Sequence, residues 1–466
     1  MYAIIVLLIY ALIMIGATVF FTKRKANNKG SFHTADRNIG GIIAALSIAA
    51  TWIWAPALFV SGNQAYTNGV PGLFWFLVPN VLCLIIFIPF AKKIRQEMPE
   101  GVTLSGYMAK KYKSEKVKKV YLFQLGSLSV LSTAVQLLAG SQVLSLITGA
   151  PFWLMTILLA VIAFSYSQIS GIKASVTTDV IQIIFILVGC ALILPLSLNN
   201  TGGISSIVNG LKGATGEFSS LFDNKGIQVF LSYGLPTAIG LISGPFGDQS
   251  FWQRTFSIRK KSIGKAFFFG ALIFGLVPLA MGLVGYIAAG SGFTAADPSM
   301  VNFEFISSVL PSWIIIPFLF MIISGLLSTV DSNLCSAASL TVDRRKKETP
   351  KENLRTSKIV MVLLLLVSIG IANIPGITVT HLFLFYGTLR ATTLLPTVLT
   401  LKGKKLSEKG VYIGVICSLA IGLPIFAYGS FAGDALFKTI GSLAAVLISG
   451  IVALALSRKR KAELVE

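Results

Sequence analysis

The chain has 466 residues, of which 54% are hydrophobic and only 12% charged, with a formal net charge of +21. Soluble domains carry roughly 25% charged residues, so this composition excludes one. Apolar runs of about 20 residues exclude a β-barrel too, whose strands need only about 10.

Hydropathy divides the sequence into about 13 apolar spans. They lie near 2–21, 40–62, 70–91, 119–148, 151–167, 175–197, 228–252, 266–290, 312–340, 357–374, 377–400, 411–429 and 436–456. The chain is read as an all-α polytopic membrane protein. Its first span lacks a basic leader and is too long for the apolar part of a signal peptide, so it reads as a retained extra helix. The loops alternate in charge. Those starting near Lys23, Lys92, Lys173, Arg254, Arg344, Lys402 and Arg458 hold about 35 of the 39 lysines and arginines. The other set holds only Lys212, Lys225 and Lys438. The positive-inside rule then puts the basic loops and the C-terminus in the cytoplasm and the N-terminus outside, in a multi-pass protein of the plasma membrane. Basic loops beside anionic lipid account for the charge, and no nucleic-acid partner is expected.

The second span is interrupted at Ala49-Ala50-Thr51-Trp52-Ile53-Trp54-Ala55-Pro56-Ala57, and the seventh at Gly240 to Gln249, where Gly244 and Pro245 stand together. Proline and glycine free backbone carbonyls that must find partners inside a membrane. The two interruptions begin about 190 residues apart, at matching places in two halves of five spans. Interrupted helices in corresponding positions point to a transporter's binding site. The organisation expected is an extra helix and loop (1–39), a first repeat (40–200), an outer loop (201–227), a second repeat of opposite topology (228–400) and two further helices with a tail (401–466).

Between the interruptions, Asp179 enters the sixth span about one turn in, as a cation ligand, a proton carrier or half of an ion pair with Lys173 or Arg390. The ninth span carries Ser324-Gly325-Leu326-Leu327-Ser328-Thr329-Val330-Asp331-Ser332. Gly325, Ser328, Thr329 and Ser332 recur at spacings of three and four and share a helix face. A charge near the bilayer centre costs roughly 2.5–3.5 kcal/mol, so Asp331 needs compensation. Grouped oxygen ligands of this kind suit a small hard cation. Arg390, in the eleventh span, must also be paired, with Asp331, Asp179 or an anionic solute group. Cys83, Cys190, Cys335 and Cys417 are scattered in apolar spans and read as small core residues. His33 and His381 stand alone. No nucleotide-binding motif or nucleophile set occurs, so no enzyme is expected.

Four segments carry a resemblance to the sodium:solute symporter family. They are Ser47 to Gly72 with its paired tryptophans, the G-x-x-A-x-x-x-T-D-x-x-Q pattern ending at Asp179-Val180-Ile181-Gln182, the string Asp248-Gln249-Ser250-Phe251-Trp252-Gln253-Arg254, and Leu327-Ser328-Thr329-Val330-Asp331-Ser332. The resemblance implies a leucine-transporter-type core of five plus five inverted helices, with one extra helix before it and two after. It implies a sodium site made of the Ala50, Ile53 and Gly325 carbonyls and the Ser328 and Thr329 hydroxyls. A second cation site, present in some members, would match Asp179, Ser328, Asp331 and Ser332. Relatives usually carry a hydroxyl where Asp331 stands. The sugar-carrying branch has an aromatic residue where this chain has Gly244; the tryptophan pair and the Asp248–Arg254 string look closer to the urea-transporter branch.

The expected function is sodium-coupled import of a small polar solute by alternating access, by a monomer or weak homo-oligomer in contact with lipid. Trp52, Trp54, Gln64, Gln136, Phe246, Asp248 and Gln249 are the candidate solute contacts. Proton coupling through Asp179 or Asp331 is the rival, followed by a sensor or channel on the same scaffold.

Overall fold

A computed structural model describes residues 2–22, 29–343 and 349–462. The expected starts of two basic loops, at Lys23 and Arg344, lie outside the described residues. Among those described, 11 helices are long and apolar enough to cross a membrane. Two further crossings are assembled from broken pieces.

Helix α1 (Tyr2–Thr22) stands before the core. The first broken crossing begins with α2 (Gly41–Trp52), whose helix stops at Ile53 (φ −80°, ψ 94°) and Trp54 (φ −118°, ψ 174°). Pro56 explains the stop: it has no N–H for the carbonyl one turn back, which is that of Trp52. Helicity resumes in α3 (Ala55–Leu58) and α4 (Val60–Glu97), which bends at Gly69 (φ 55°). Helices α5 (Glu115–Thr148), α6 (Phe152–Ser170) and α7 (Ile172–Asn199) complete the first half. Ser114 caps α5 by accepting from the Val117 N–H at 3.2 Å.

The second broken crossing contains a π-helical turn at Phe230–Gly234, then α8 (Leu235–Ile242), α9 (Gly244–Gly247) and α10 (Gln249–Ser257). Its interruptions, at Ser243 and Asp248, fall within the expected run Gly240–Gln249. Gly244 and Pro245 lie in the first turn of α9, where proline's fixed φ is tolerated. The extended residue is Asp248 (φ −108°, ψ 118°), which caps α10 by accepting from the Ser250 N–H at 3.0 Å. Then follow α11 (Ile263–Gly290), α12 (Ile315–Leu340), α13 (Pro350–Ala372), α14 (Val379–Ala391) and its continuation α15 (Leu394–Leu401). Helices α16 (Glu408–Phe431) and α17 (Ala435–Ala462) form a hairpin outside the core.

The halves interleave. Helix α4 packs on α11, α5 on α12 and α6 on α13, so three helices after the first break meet their counterparts after the second. This is the architecture of two inverted five-helix repeats with one helix added before and two after. At one end of the bundle the strand-like residues Ile39 and Ile258 form a parallel bridge, with Ile39 N donating to Ser257 O at 3.2 Å and Arg259 N to Ile39 O at 3.0 Å.

The contact of α11 with α4 depends on small residues. A Cβ added at Gly285 would lie 2.3 Å from the Gly62 carbonyl oxygen, whereas one at Gly126 would meet nothing within 4 Å. Overpacking of this kind costs about 1–3 kcal/mol. Gly285→Ala should therefore lower the thermal unfolding midpoint of the detergent-purified protein by several degrees, while Gly126→Ala should not. Equal midpoints for both would contradict this packing.

Candidate ion and solute site

The polar run on α12 faces the first break. Thr329 Oγ1 lies 3.2, 3.4 and 3.3 Å from the carbonyl oxygens of Thr51, Ile53 and Gly325. A hydroxyl has one proton, so only one of those carbonyls can receive it. The remaining lone pairs converge on one another, an arrangement that repels unless a cation sits among them. The Ala50 carbonyl, in the last turn of α2, shares the Ile53 N–H with that of Ala49, at 3.2 and 2.9 Å. Ser328 Oγ donates to Asp179 Oδ1 at 2.9 Å. With its proton committed there, its lone pairs are free to face an ion. Hard, mostly neutral oxygens of this kind fit a sodium ion. Thr51 was not among the expected residues: its carbonyl joins them only because the break exposes the last turn of α2.

Asp179 is fully buried, and its cation is Arg254, whose Nη2 donates to Asp179 Oδ2 at 2.9 Å. This corrects two expectations. Lys173 pairs instead with Asp36 at 2.5 Å, and Arg254 belongs to no exposed basic loop but is 1% exposed. Its Nη2 also donates to Ser332 Oγ at 2.8 Å and Ser175 Oγ at 3.3 Å, and its Nε to Ser47 Oγ at 3.1 Å. Ser47 in turn donates to Asp179 Oδ2 at 2.5 Å. Asp331 accepts from hydroxyls: Ser175 at 2.7 Å, Thr178 at 3.2 Å and Ser332 at 3.4 Å.

Arg390, also 1% exposed, pairs with neither expected aspartate. Its Nη2 donates to Asp248 Oδ2 at 3.2 Å, at the second break. Tyr386 donates to the same oxygen at 2.8 Å and itself accepts from Arg390. The guanidinium carbon sits 5.0, 5.2 and 3.7 Å from the ring centroids of Trp52, Trp54 and Tyr386, close enough for cation–π attraction. Trp52 and Trp54 stack at 5.7 Å and 20°, which the extended Ile53 between them permits. Gly244 leaves room for this stack, since a Cβ there would lie 2.5 Å from Trp52 Cη2. Arg390 Nε and Nη1 and Trp54 Nε1 are buried donors with no hydrogen-bond partner among the described residues.

The other expected solute contacts have partners within the protein. Gln136 caps α3, accepting from Ala55 N at 2.7 Å. Gln249 spans three groups, accepting from Leu104 N and donating to Val102 O and Ser339 Oγ. Phe246 packs against Phe87 and Phe90. Gln64 bonds its own neighbours Asn63 and Asn68.

A sequence model described as the Sodium:solute symporter family matches residues 32–418. A urea-proton symporter of Oryza sativa subsp. japonica is 22% identical, over 92% of this chain and 66% of its own. A sodium/pantothenate symporter of Haemophilus influenzae is 23% identical, over 97% of this chain and 95% of its own. This chain covers 44%, 66% and 62% of the length of the urea transporters it matches first. A solved structure of a substrate-bound, outward-open Na+-coupled sialic acid symporter superposes with a TM-score of 0.81 at 18% identity, covering 98% of both chains.

Removing one partner of a buried ion pair costs roughly 3–5 kcal/mol, because the other charge is left stranded. Arg390→Ala should therefore lose most of its folded protein in a detergent thermal melt, and Arg390→Met with Asp248→Asn should recover a large part of it. A single variant as stable as the parent would contradict the pairing.

Proposed function

Because the chain belongs to the sodium:solute symporter family, we propose that it imports a small polar solute by coupling it to downhill sodium entry. The observation that carries this reading is the Thr329 hydroxyl facing three carbonyls across the first break. The proposed sodium ligands are the carbonyls of Ala50, Ile53 and Gly325 and the hydroxyls of Ser328 and Thr329. They come from two elements, α2 and α12, so an ion bound between them favours the state in which those elements are together. A differential affinity of that sort is all that coupling requires. One charge moving through 100 mV supplies about 2.3 kcal/mol, enough for roughly 50-fold accumulation per sodium ion.

The core is read as residues 40–200 and 228–400, in the plasma membrane, with the N-terminus outside and the C-terminus in the cytoplasm. The solute lies beside Trp52, Trp54, Tyr386 and Arg390, between the two breaks. Arg390 Nε, Arg390 Nη1 and Trp54 Nε1 offer donors to an acceptor oxygen, and the Arg390 charge is already balanced by Asp248. That combination favours a neutral carbonyl compound, such as a small amide, over a carboxylate. Proton coupling is the second reading, favoured by the name of the rice relative.

Uptake into proteoliposomes should require sodium and not potassium, and Ser328→Ala and Thr329→Ala should each raise the sodium concentration for half-maximal uptake several-fold. Uptake that survives without sodium and collapses with the pH gradient would transfer the case to protons. In a thermal-shift screen, small neutral amides should stabilise the protein in sodium by RT ln(1 + [L]/Kd), and carboxylates of similar size should not. Stabilisation by carboxylates alone would reverse the assignment of solute class.

A further inference from the structure

Of the residues matching a second cation site, Asp179, Ser328, Asp331 and Ser332, two already bind a cation of the protein's own. The Arg254 guanidinium sits among their oxygens. Its Nη2 lies 2.9 Å from Asp179 Oδ2, 2.8 Å from Ser332 Oγ and 3.3 Å from Ser175 Oγ. Two further contacts hold it there: Nε to Ser47 Oγ at 3.1 Å and Nη1 to the Ser250 carbonyl at 3.4 Å. The group is 1% exposed, and Asp179 and Asp331 are completely buried. A guanidinium cannot be deprotonated in a protein, so the charge is permanent. A second ion placed there would have to displace it or sit against it, and like charges a few ångströms apart in a poorly screened interior repel strongly, with Asp331, held by hydroxyls, the carboxylate left to offset that repulsion.

We infer that Arg254 is a tethered cation standing in for a second coupling ion, so that the carrier binds and moves a single sodium ion per cycle. The inference rests on the sodium-coupled reading above. A mobile second ion would be released inside and add its electrochemical gradient to the driving force. Arg254 is fixed to α10 and adds nothing to that force. It supplies only the local positive charge, and it delivers that charge to α2 (Ser47), α7 (Asp179, Ser175) and α12 (Ser332) together. It also reaches the sodium site indirectly. Asp179, held on one oxygen by Arg254, takes the Ser328 proton on the other at 2.9 Å. Arg254 is thereby a positioning residue for the Ser328 ligand.

Equilibrium binding of 22Na+ to the purified full chain in detergent counts the sites directly. One saturable site per chain, with a Hill coefficient near one, is expected. Two sites in the unaltered protein would overturn the inference and leave sodium coupling standing. No saturable site would overturn sodium coupling and the inference with it, and that outcome is distinct from the previous one. Arg254→Lys keeps a positive charge and should keep the count at one. Arg254→Ala, where a melting transition shows it folded, frees the aspartate and serine oxygens and should raise the count to two. A folded Arg254→Ala protein that still binds one ion would show that the guanidinium does not hold the second site. The count in the unaltered protein tests the inference even where the alanine variant fails to fold.

Discussion

A charge inside a membrane-spanning bundle has to be matched where it lies, because no water is at hand to match it. Two arginines and two aspartates meet that requirement here in the same way, whereas the equally buried Asp331 is held by the hydroxyls of Ser175, Thr178 and Ser332. Arg254 with Asp179 and Arg390 with Asp248 each join the second broken crossing to another part of the core. The first pair ties α10 to α7, and the second ties the break itself to α14. Asp248 also caps α10, so one carboxylate ends the break and anchors an arginine. Without a local cation, Asp248 would be as costly in an extended residue at bilayer depth as in a helix.

The two proposed binding functions share the first break. The carbonyls of Thr51 and Ile53 turn toward Thr329 because the helix stops there, and the stacked rings of Trp52 and Trp54 turn toward Arg390 for the same reason. Residues 51–54, where the last helical turn gives way to extended backbone, would thus serve an ion through their carbonyls and the aromatic wall through their rings. Solute and sodium then report on one local geometry. Each would favour the state in which that stretch is correctly folded, and reciprocal coupling follows without any long path between them.

Much of this was legible in the residues before any coordinates. Pro56 near paired tryptophans marked the first break, and the Ser328-Thr329 pair marked its partner, because hydroxyls with a glycine at helical spacing are rare in an apolar segment. The ion pairs were not legible. Arg254 follows an apolar stretch and begins a basic run, so a rule that counts lysines and arginines in loops assigns it to a loop. Its burial depends on α10 being a short helix packed against α12, with every residue buried. Asp248 and Arg390 are 142 positions apart, and nothing local in either segment names the other. The second break falls within the run Gly240–Gln249, but its extended residue is Asp248 and not the Gly244-Pro245 pair, for a local reason. A proline in the first turn of a helix starts it, whereas the same proline deeper in would stop it.

The parallel bridge between Ile39 and Ile258 is the smallest element of the fold, two backbone hydrogen bonds long. It joins Ile39, two residues before α2, to Ile258, the residue just after α10, so it straps together the same-side ends of the two interrupted crossings. A strap at that point transmits a tilt of either crossing to the other. The half-helices α2 and α10 would therefore swing at that end as one lever, and a passage opening there would open along both at once.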